Sequence, residues 1–417
     1  MNSMISEGAF RPNSLQATPK TASQLLESIS AYVPGRSLAQ GFYTNPELFE
    51  HEVQRIFFQQ WLFAGHIARI QNPGDYFLYE MGGESVIIIR GENREVHALV
   101  NVCSHRGSRI CLDPEGNVKR LVCPYHAWCY DLTGAFLVGK HLSEDCQRES
   151  LSLHRLDVRV DEGLIHIRFK KNAISFDAIG DDLEHFFGPH KLAEAKIAAR
   201  EVAVLEANWK VTAENFMECY HCSHTHPELK QVMAYVRAGD SKEHAARAAE
   251  YADEWEQKAK QLGHVTGNVK RREPFFQTVC RAPIQRGFFT QSREGKPVAP
   301  LMGTFKSYDG GSTAMQFFPN NWYVANNDYA MLVRFTPLAV KRTEVEIIWL
   351  VDGNAKEGID YQVDDITWLW KETLLQDKVI TENNQAGIES RFYTPGPHSE
   401  DEKFDDFYGW YLAQIAN

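Results

Sequence analysis

No stretch of about eighteen consecutive apolar residues occurs in this chain, so nothing in it reads as a membrane-spanning helix. Clustered basic residues are missing too. The formal net charge is −11, from 44 basic and 55 acidic side chains. Phosphate backbones are gripped by grouped Lys and Arg, so nucleic acid is not an expected partner. The first forty residues show no basic segment followed by an apolar one, which a secretory leader requires, and the expectation is a cytoplasmic protein. Glycine is never arranged as GxGxxG or as a Walker loop. The pairs Gly82-Gly83 and Gly310-Gly311 open no βαβ unit, so no flavin or nicotinamide site is expected within the chain. Cysteine is sparse: Cys103, Cys111, Cys123, Cys129, Cys146, Cys219, Cys222 and Cys280. Without a leader, so few read as metal ligands or buried thiols rather than as a disulfide framework.

What is present exceeds one hydrophobic core. A length of 417 residues with 43% hydrophobic content points to two domains, or to one domain with a large insertion. Residues 1–40 are polar, with Pro12, Pro19 and Pro34, and read as an arm. From Gln60 to Phe169 the pattern is short and β-branched: Ser85–Arg90, Val96–Val100 and Leu164–Arg168 are broken by Gly, Asn and Asp turns. That predicts an antiparallel all-β domain over 41–170. The remainder, 171–417, mixes helices and strands. Glu243–Leu262 is helix-favouring and of mixed charge, which suits a solvated surface helix better than a lid. Ser312–Phe318 and Tyr329–Leu350 read as strands. Ile366–Gly387 reads as a helix with Pro395 and Pro397 beyond it. The fold class is α+β.

The strongest local signal is NVCSHRGSRI followed by LVCPYHAW. Cys103 and His105 form a Cys-x-His pair, and Cys123 and His126 a Cys-x-x-His pair. Two loops, each offering one thiolate and one imidazole, suit a [2Fe–2S] cluster with both cysteines on one iron and both histidines on the other. A tetrahedral zinc site would pair cysteine with cysteine and histidine with histidine, at different spacings. The motif resembles the Rieske family. In its high-potential respiratory branch each loop carries a further cysteine, and the two form a disulfide. Ser108 and Tyr125 stand at the matching positions here, which implies the lower-potential oxygenase branch. Cys111 and Cys129 are expected to be buried thiols under the cluster.

A second signal is NWKVTAENFMECYHCSHTHPEL, Asn208 to Leu229. His221 and His226 with a distant carboxylate would make the two-His-one-carboxylate triad of non-haem iron oxygenases, which leaves coordination positions open for O₂. Residues five apart do not share a helix face, so His226 must lie where a helix ends. Pro227 supplies that, because the residue before proline is pushed out of the α region. His224 lies between the two.

Placed after a Rieske motif, this segment resembles the alpha subunits of the Rieske non-haem iron ring-hydroxylating oxygenases over nearly the whole chain. The residues that carry the likeness are Asn208-Trp-Lys, Glu214-Asn215-Phe216 and Glu218-Cys-Tyr-His221. The resemblance implies an all-β cluster domain placed before a helix-grip-like α+β catalytic domain. It implies Asn215 and Glu218 as catalytic-site residues, Glu218 linking His221 to His126 of a neighbouring subunit in a homotrimer. Their separation of three is expected to put Glu218 and His221 on one helix face. Most arene dioxygenases have Asp at the bridging position. Asp377, in LLQDKVITENNQAGIES, takes the third-ligand place by resemblance, with Asp364, Asp365 and Glu382 as competitors. Electrons would come from NAD(P)H through a separate flavin/iron–sulfur reductase.

Within the family the chain looks most like the group acting on quaternary ammonium compounds: glycine betaine monooxygenase, stachydrine demethylase and carnitine oxygenase. Glu218, ECYHCSHTHPEL and YTPGPHS carry that likeness. The reaction implied is hydroxylation of an N-methyl group, with loss of formaldehyde. A trimethylammonium head calls for an aromatic cage, and the aromatics available are Phe288, Phe289, Phe317, Phe318, Trp322 and Tyr323. An arene dioxygenase or O-demethylase would share every metal ligand. A Rieske electron carrier would explain the first motif only.

Overall fold

The structure, a computed structural model, describes residues 28–140, 142, 147–172, 174–233, 241–399 and 404–416. Cys146 and the first 27 residues of the arm lie outside that range. The first half is built from ten short strands in three antiparallel sheets. β1 (Leu62–His66), β10 (Leu164–Arg168) and β9 (Asp157–Asp161) form one sheet in that order. β4 (Val96–Val100), β3 (Glu84–Arg90), β2 (Asp75–Met81) and β5 (Glu115–Asn117) form the second. β6 (Leu121–Val122), β7 (Cys129–Tyr130) and β8 (Phe136–Val138) form the third. β3 carries Val86, Ile87, Ile88 and Ile89, all fully buried, because Val86 and Ile88 pack into one apolar core and Ile87 and Ile89 into another on the opposite face. Cys111 is buried in the apolar cluster beneath the two Cys/His loops, which also holds Ile87, Leu99, Trp128 and Tyr130, and Cys129 is buried in β7.

The second half is a seven-stranded antiparallel sheet, ordered β11 (Lys196–Leu205), β17 (Arg342–Val351), β16 (Tyr329–Ala339), β15 (Asn321–Ala325), β14 (Gly311–Phe317), β13 (Gln277–Pro283), β12 (Gly267–Arg271). Side chains alternate between its faces with the period of two that a strand imposes. Met315, Phe317, Tyr323 and Leu332 point into one core, shared with the helix Asp177–Phe187. Trp322, Val324, Met331 and Val333 point to the other. That second face is covered by two helices, α1 (Trp209–Met217) and α2 (Val363–Ile388), which also touch each other. This sheet-and-long-helix layer matches the α+β expectation. The surface helix Lys242–Gln261 buries only Trp255 and Ala259. No helix among the described residues is long and apolar enough to cross a membrane.

α1 is held by charges that its sequence does not advertise. Asn208 caps it, accepting from the Lys210 amide at 2.9 Å. The fully buried Lys210 ammonium donates to Glu52 Oε1 at 2.6 Å, Trp209 Nε1 donates to Glu52 Oε2 at 2.7 Å, and the Tyr411 hydroxyl also reaches Glu52. Glu214, one helical turn on, accepts from the hydroxyls of Tyr43 and Tyr408, both at 2.9 Å. Burial holds the Lys210 ammonium below its usual range, against the pull of Glu52 and Glu214. Lys210→Met is expected to lower unfolding stability by about 3–5 kcal/mol, because Glu52 is left charged and dry. The urea midpoint measures it. A Lys210→Met/Glu52→Leu double variant should recover part of the loss, and an unchanged midpoint in the single variant would remove the pair from the stability argument.

Candidate metal centres

The two Cys/His segments fold into the same loop twice. The amide of Cys103 donates to the Ser108 carbonyl at 2.8 Å, and that of Gly107 to the Cys103 carbonyl at 2.9 Å. The second loop repeats both contacts, Cys123 to Trp128 at 2.8 Å and Ala127 to Cys123 at 3.0 Å. In each, the fourth residue after the cysteine has a left-handed backbone: Gly107 at φ 75° and Ala127 at φ 57°. Glycine adopts that conformation freely, and an alanine held there shows that the surrounding hydrogen bonds dictate the loop.

The thiols lie inside and the imidazoles outside. Cys103 and Cys123 are buried, and each sulfur meets a hydroxyl: Tyr130 at 3.2 Å from Cys103 Sγ, and Ser108 on Cys123. His105 and His126 are exposed at the loop tips, ring centroids 4.7 Å apart. His105 stacks on Trp128 and His126 on Tyr125. Two sulfurs with hydroxyl donors below and two supported imidazoles above fit a [2Fe–2S] group of the thiolate/imidazole kind.

The second centre begins where α1 ends. Glu218 leaves the helix with extended backbone (φ −127°, ψ 159°). Its carboxylate then accepts from the amides of Tyr220 and His221, the latter at 3.3 Å, and from His221 Nδ1 at 2.5 Å. Glu218 and His221 therefore meet across a turn, not along one helix face as their spacing suggested. The carboxylate ends α1 by serving the free amides of the next turn. A four-residue helix, α3 (Cys222–Thr225), follows. His226 then sits at φ −118°, ψ 78°, outside the α region, with Pro227 opening the helix α4 (Pro227–Val232).

These breaks turn two imidazoles toward one point. Asp377, buried in the middle of α2, places Oδ1 3.0 Å from His226 Nε2 and 3.3 Å from His221 Nε2. Asn215 donates Nδ2 to the same oxygen at 3.1 Å. His226 Nε2 is buried yet makes no hydrogen bond of acceptable geometry. A nitrogen that lies so near a carboxylate without bonding to it shares a target with it. On the far side of each ring an acceptor fixes the tautomer. Glu218 faces Nδ1 of His221, and Gln376 Oε1 faces Nδ1 of His226 at 2.8 Å, itself held by Gln376 Nε2 donating to Glu228 at 2.8 Å. Two oriented imidazoles and one carboxylate fit a mononuclear iron. Gln376 escaped sequence reading, because no spacing rule singles out the neighbour of a ligand.

The competing carboxylates lie elsewhere. Asp364 and Asp365 are exposed in the first turn of α2, and Glu382 accepts from the Glu206 amide and Lys378. Of the six aromatics proposed for a cage, Phe317 and Tyr323 belong to the opposite core, where Tyr323 bonds His166 at 3.0 Å. Phe318 packs on Phe407 and Phe276, and Phe289 is half-exposed beside Tyr308. Phe288 packs over Gly295. Strand alternation puts Phe317 and Tyr323 on the other side of the sheet from Trp322, whereas Phe318 and Phe288 pack in or against the core that Trp322 also joins. Trp322 stands with α1 and α2, against Trp370 (5.1 Å) and Phe216 (5.5 Å).

The charge of the centre favours a cation. Burial works against protonating His221, but hydrogen bonds to Asp377 and Glu218 outweigh it and raise its pKa to about 10. His226 is raised as well, against burial, by the charge of the nearby Asp377 carboxylate and by Gln376, and Asp377 is held below the carboxylate range by the two rings despite burial. A folded-state pKa above the ordinary 6.5 gives stabilisation that is present below that value and lost as pH rises through about 10. A metal must displace that proton. Iron(II) affinity is thus expected to rise with pH across that window, with proton release on binding. Anaerobic calorimetry in buffers of different ionisation enthalpy measures both, and a pH-independent affinity would contradict it.

Residues 192–417 match the family model described as ring hydroxylating alpha subunit (catalytic domain), and residues 60–146 match the Rieske [2Fe-2S] domain. The glycine betaine monooxygenase oxygenase subunit of Pseudomonas aeruginosa is 34% identical, over 91% of this chain and 89% of its own. The carnitine monooxygenase oxygenase subunit of Acinetobacter baumannii is 36% identical, over 45% of this chain and 51% of its own. A solved quaternary ammonium Rieske monooxygenase superposes with a TM-score of 0.69 at 22% identity, covering 92% of this chain and 96% of its own, a likeness of fold.

Proposed function

Because this chain belongs to the Rieske ring-hydroxylating oxygenase family, we propose that it hydroxylates an N-methyl group of a quaternary ammonium compound. In this reading Cys103, His105, Cys123 and His126 hold the family's [2Fe–2S] cluster, and His221, His226 and Asp377 hold its mononuclear iron. The observation that carries the second assignment is the convergence of both Nε2 atoms and Asp377 Oδ1 around an unbonded buried nitrogen. When bound, the two groups supply O₂ activation and electrons that originate in NAD(P)H and arrive through a separate reductase.

The chain's own residues prepare the site for that chemistry. Glu218 and Gln376 keep both Nδ1 atoms protonated, so both Nε2 lone pairs face inward. Asn215 steadies the Asp377 carboxylate. Phe216, Trp322, Trp370 and Phe335 pack on one another in a run of aromatic rings, with Phe216 next in sequence to Asn215 and Trp370 two helical turns before Asp377. Rings that offer π-faces suit a trimethylammonium head better than a neutral arene needs. Glu218, at the mouth of the turn and only partly buried, would bridge the iron site to His126 of the partner subunit, which would hold the cluster that supplies electrons. A homotrimer closes that head-to-tail path.

The net reaction joins one oxygen atom of O₂ to an N-methyl carbon and reduces the other to water with two electrons and two protons. The hydroxymethyl ammonium then breaks its C–N bond to give formaldehyde and the demethylated amine. Single-turnover reaction of chemically reduced protein with O₂ and glycine betaine, carnitine, stachydrine or simple arenes tests this. Formaldehyde from one of the quaternary amines is expected. A hydroxylated arene without formaldehyde would overturn the substrate class and keep the oxygenase.

A further inference from the structure

The turn between α1 and α3 holds two thiols that the reading above does not use. Cys219 and Cys222 form a Cys-x-x-Cys pair that straddles Tyr220 and His221. The Cys222 amide donates to the Cys219 carbonyl at 3.2 Å, which closes a four-residue turn. The two thiols hydrogen-bond to each other. Cys222 is buried and Cys219 half-buried. Cys222 Sγ lies 4.0 Å from His221 Nε2, and ligand atoms of His221, Cys222 and His226 fall within 4.8 Å of one another. Cys111, Cys129 and Cys280 have no such setting: Cys111 packs under the cluster loops, Cys129 sits in β7 and Cys280 in β13.

We propose that Cys219 and Cys222 are a redox-active dithiol that peroxide closes to a disulfide, switching off the iron site beside them. The inference rests on the oxygenase reading, since O₂ reduction that fails to hydroxylate substrate releases hydrogen peroxide at this place. The step consumes two thiols and one H₂O₂, forms one S–S bond and yields two waters: the sulfurs are oxidised and the peroxide oxygens reduced. A thiol reductant reverses it by exchange. The geometry asks for little movement, because a turn closed by its own hydrogen bond holds its ends within about 7 Å, the outer reach of a disulfide. A ring of four residues also restrains the unfolded chain little, which keeps such a bond reducible.

The turn couples this chemistry to the site. Its two central amides, of Tyr220 and His221, are the ones that Glu218 Oε2 accepts, and its fourth residue follows His221 directly. Drawing the sulfurs to bonding distance shifts His221 Nε2 relative to His226 and Asp377, and shifts the Glu218 carboxylate with it. Peroxide made by wasted turnover then stops further waste.

The test uses the full chain with both metals bound. It is treated with stoichiometric hydrogen peroxide, alkylated under denaturing conditions and mapped by peptide mass, while iron content and cluster absorption are followed. The expected product is a Cys219–Cys222 peptide lighter by two hydrogens and closed to alkylation. Iron retention or turnover should fall about tenfold, with the cluster spectrum unchanged and recovery on adding dithiothreitol. Cys219→Ser should keep basal turnover and resist peroxide, and Cys219→Ala repeats the test if serine disturbs the turn. Inactivation with both thiols still free, equal sensitivity in both variants, or a disulfide that alters neither iron nor turnover would each overturn the proposal. Disulfide and iron content are read without substrate, so the wrong substrate class would leave this result standing.

Discussion

Asp377→Ala protein is expected to keep its cluster absorption and lose its mononuclear iron, together with all measurable product. Oδ1 of this residue lies within 3.3 Å of both imidazole Nε2 atoms, and it is the oxygen to which Asn215 donates. Without it two imidazoles remain, which satisfy neither the charge nor the donor number of the triad. The loss should exceed the roughly 10–100-fold effect of removing an outer partner of a ligand. It should also exceed the loss in Gln376→Leu, where only the support of His226 is removed. Cys103 and Cys123 sit in an apolar cluster separate from the one that holds α1 and α2, so the visible spectrum serves as an internal control. Iron analysis and product yield measured on one sample decide it. Full iron occupancy in Asp377→Ala would move the third ligand elsewhere.

Glu218→Gln tests a different function in the same turn. The substitution keeps size and one acceptor oxygen but removes the charge. It also places a donor where an acceptor now serves the Tyr220 and His221 amides and the His221 ring. A hydrogen bond to a charged group contributes about 1.5–3 kcal/mol, so both metals should remain bound. Product formation in a single turnover of reduced protein should fall by roughly 10–100-fold, while the cluster stays reduced for longer under O₂. Stopped-flow absorption of the cluster alongside product quenching separates the two. Normal coupling in this variant would remove Glu218 from the electron path and leave it a structural cap.

Much of this was legible in the chain itself, for reasons that differ by residue. The cluster loops could be read because ligand spacing within a short loop is a local property: Cys103 with His105 and Cys123 with His126 need only a turn between them. Strands such as Ser85–Arg90 and Leu164–Arg168 declared themselves by β-branched content, since burial on both faces demands it. The break at His226 followed from Pro227, a steric effect of one residue on its neighbour. Where local rules were pushed further they failed. A spacing of three put Glu218 and His221 on one helix only while a helix was assumed, and the chain leaves α1 at Glu218.

By itself, then, the sequence determined the kinds of ligand, the order of two metal-binding motifs along the chain and the α+β character of the whole. Each of these is set by chemistry between near neighbours. Only the tertiary structure decided which carboxylate joins His221 and His226, because Asp377, Asp364, Asp365 and Glu382 ride one helix and differ only in the direction they face. It alone separated Trp322 from Phe317 and Tyr323, where a one-residue step along a strand changes the side of the sheet. It also brought Glu52 and Tyr411 to Lys210 from opposite ends of the chain. Contacts across more than a hundred residues depend on how the layers stack, and no local pattern records that.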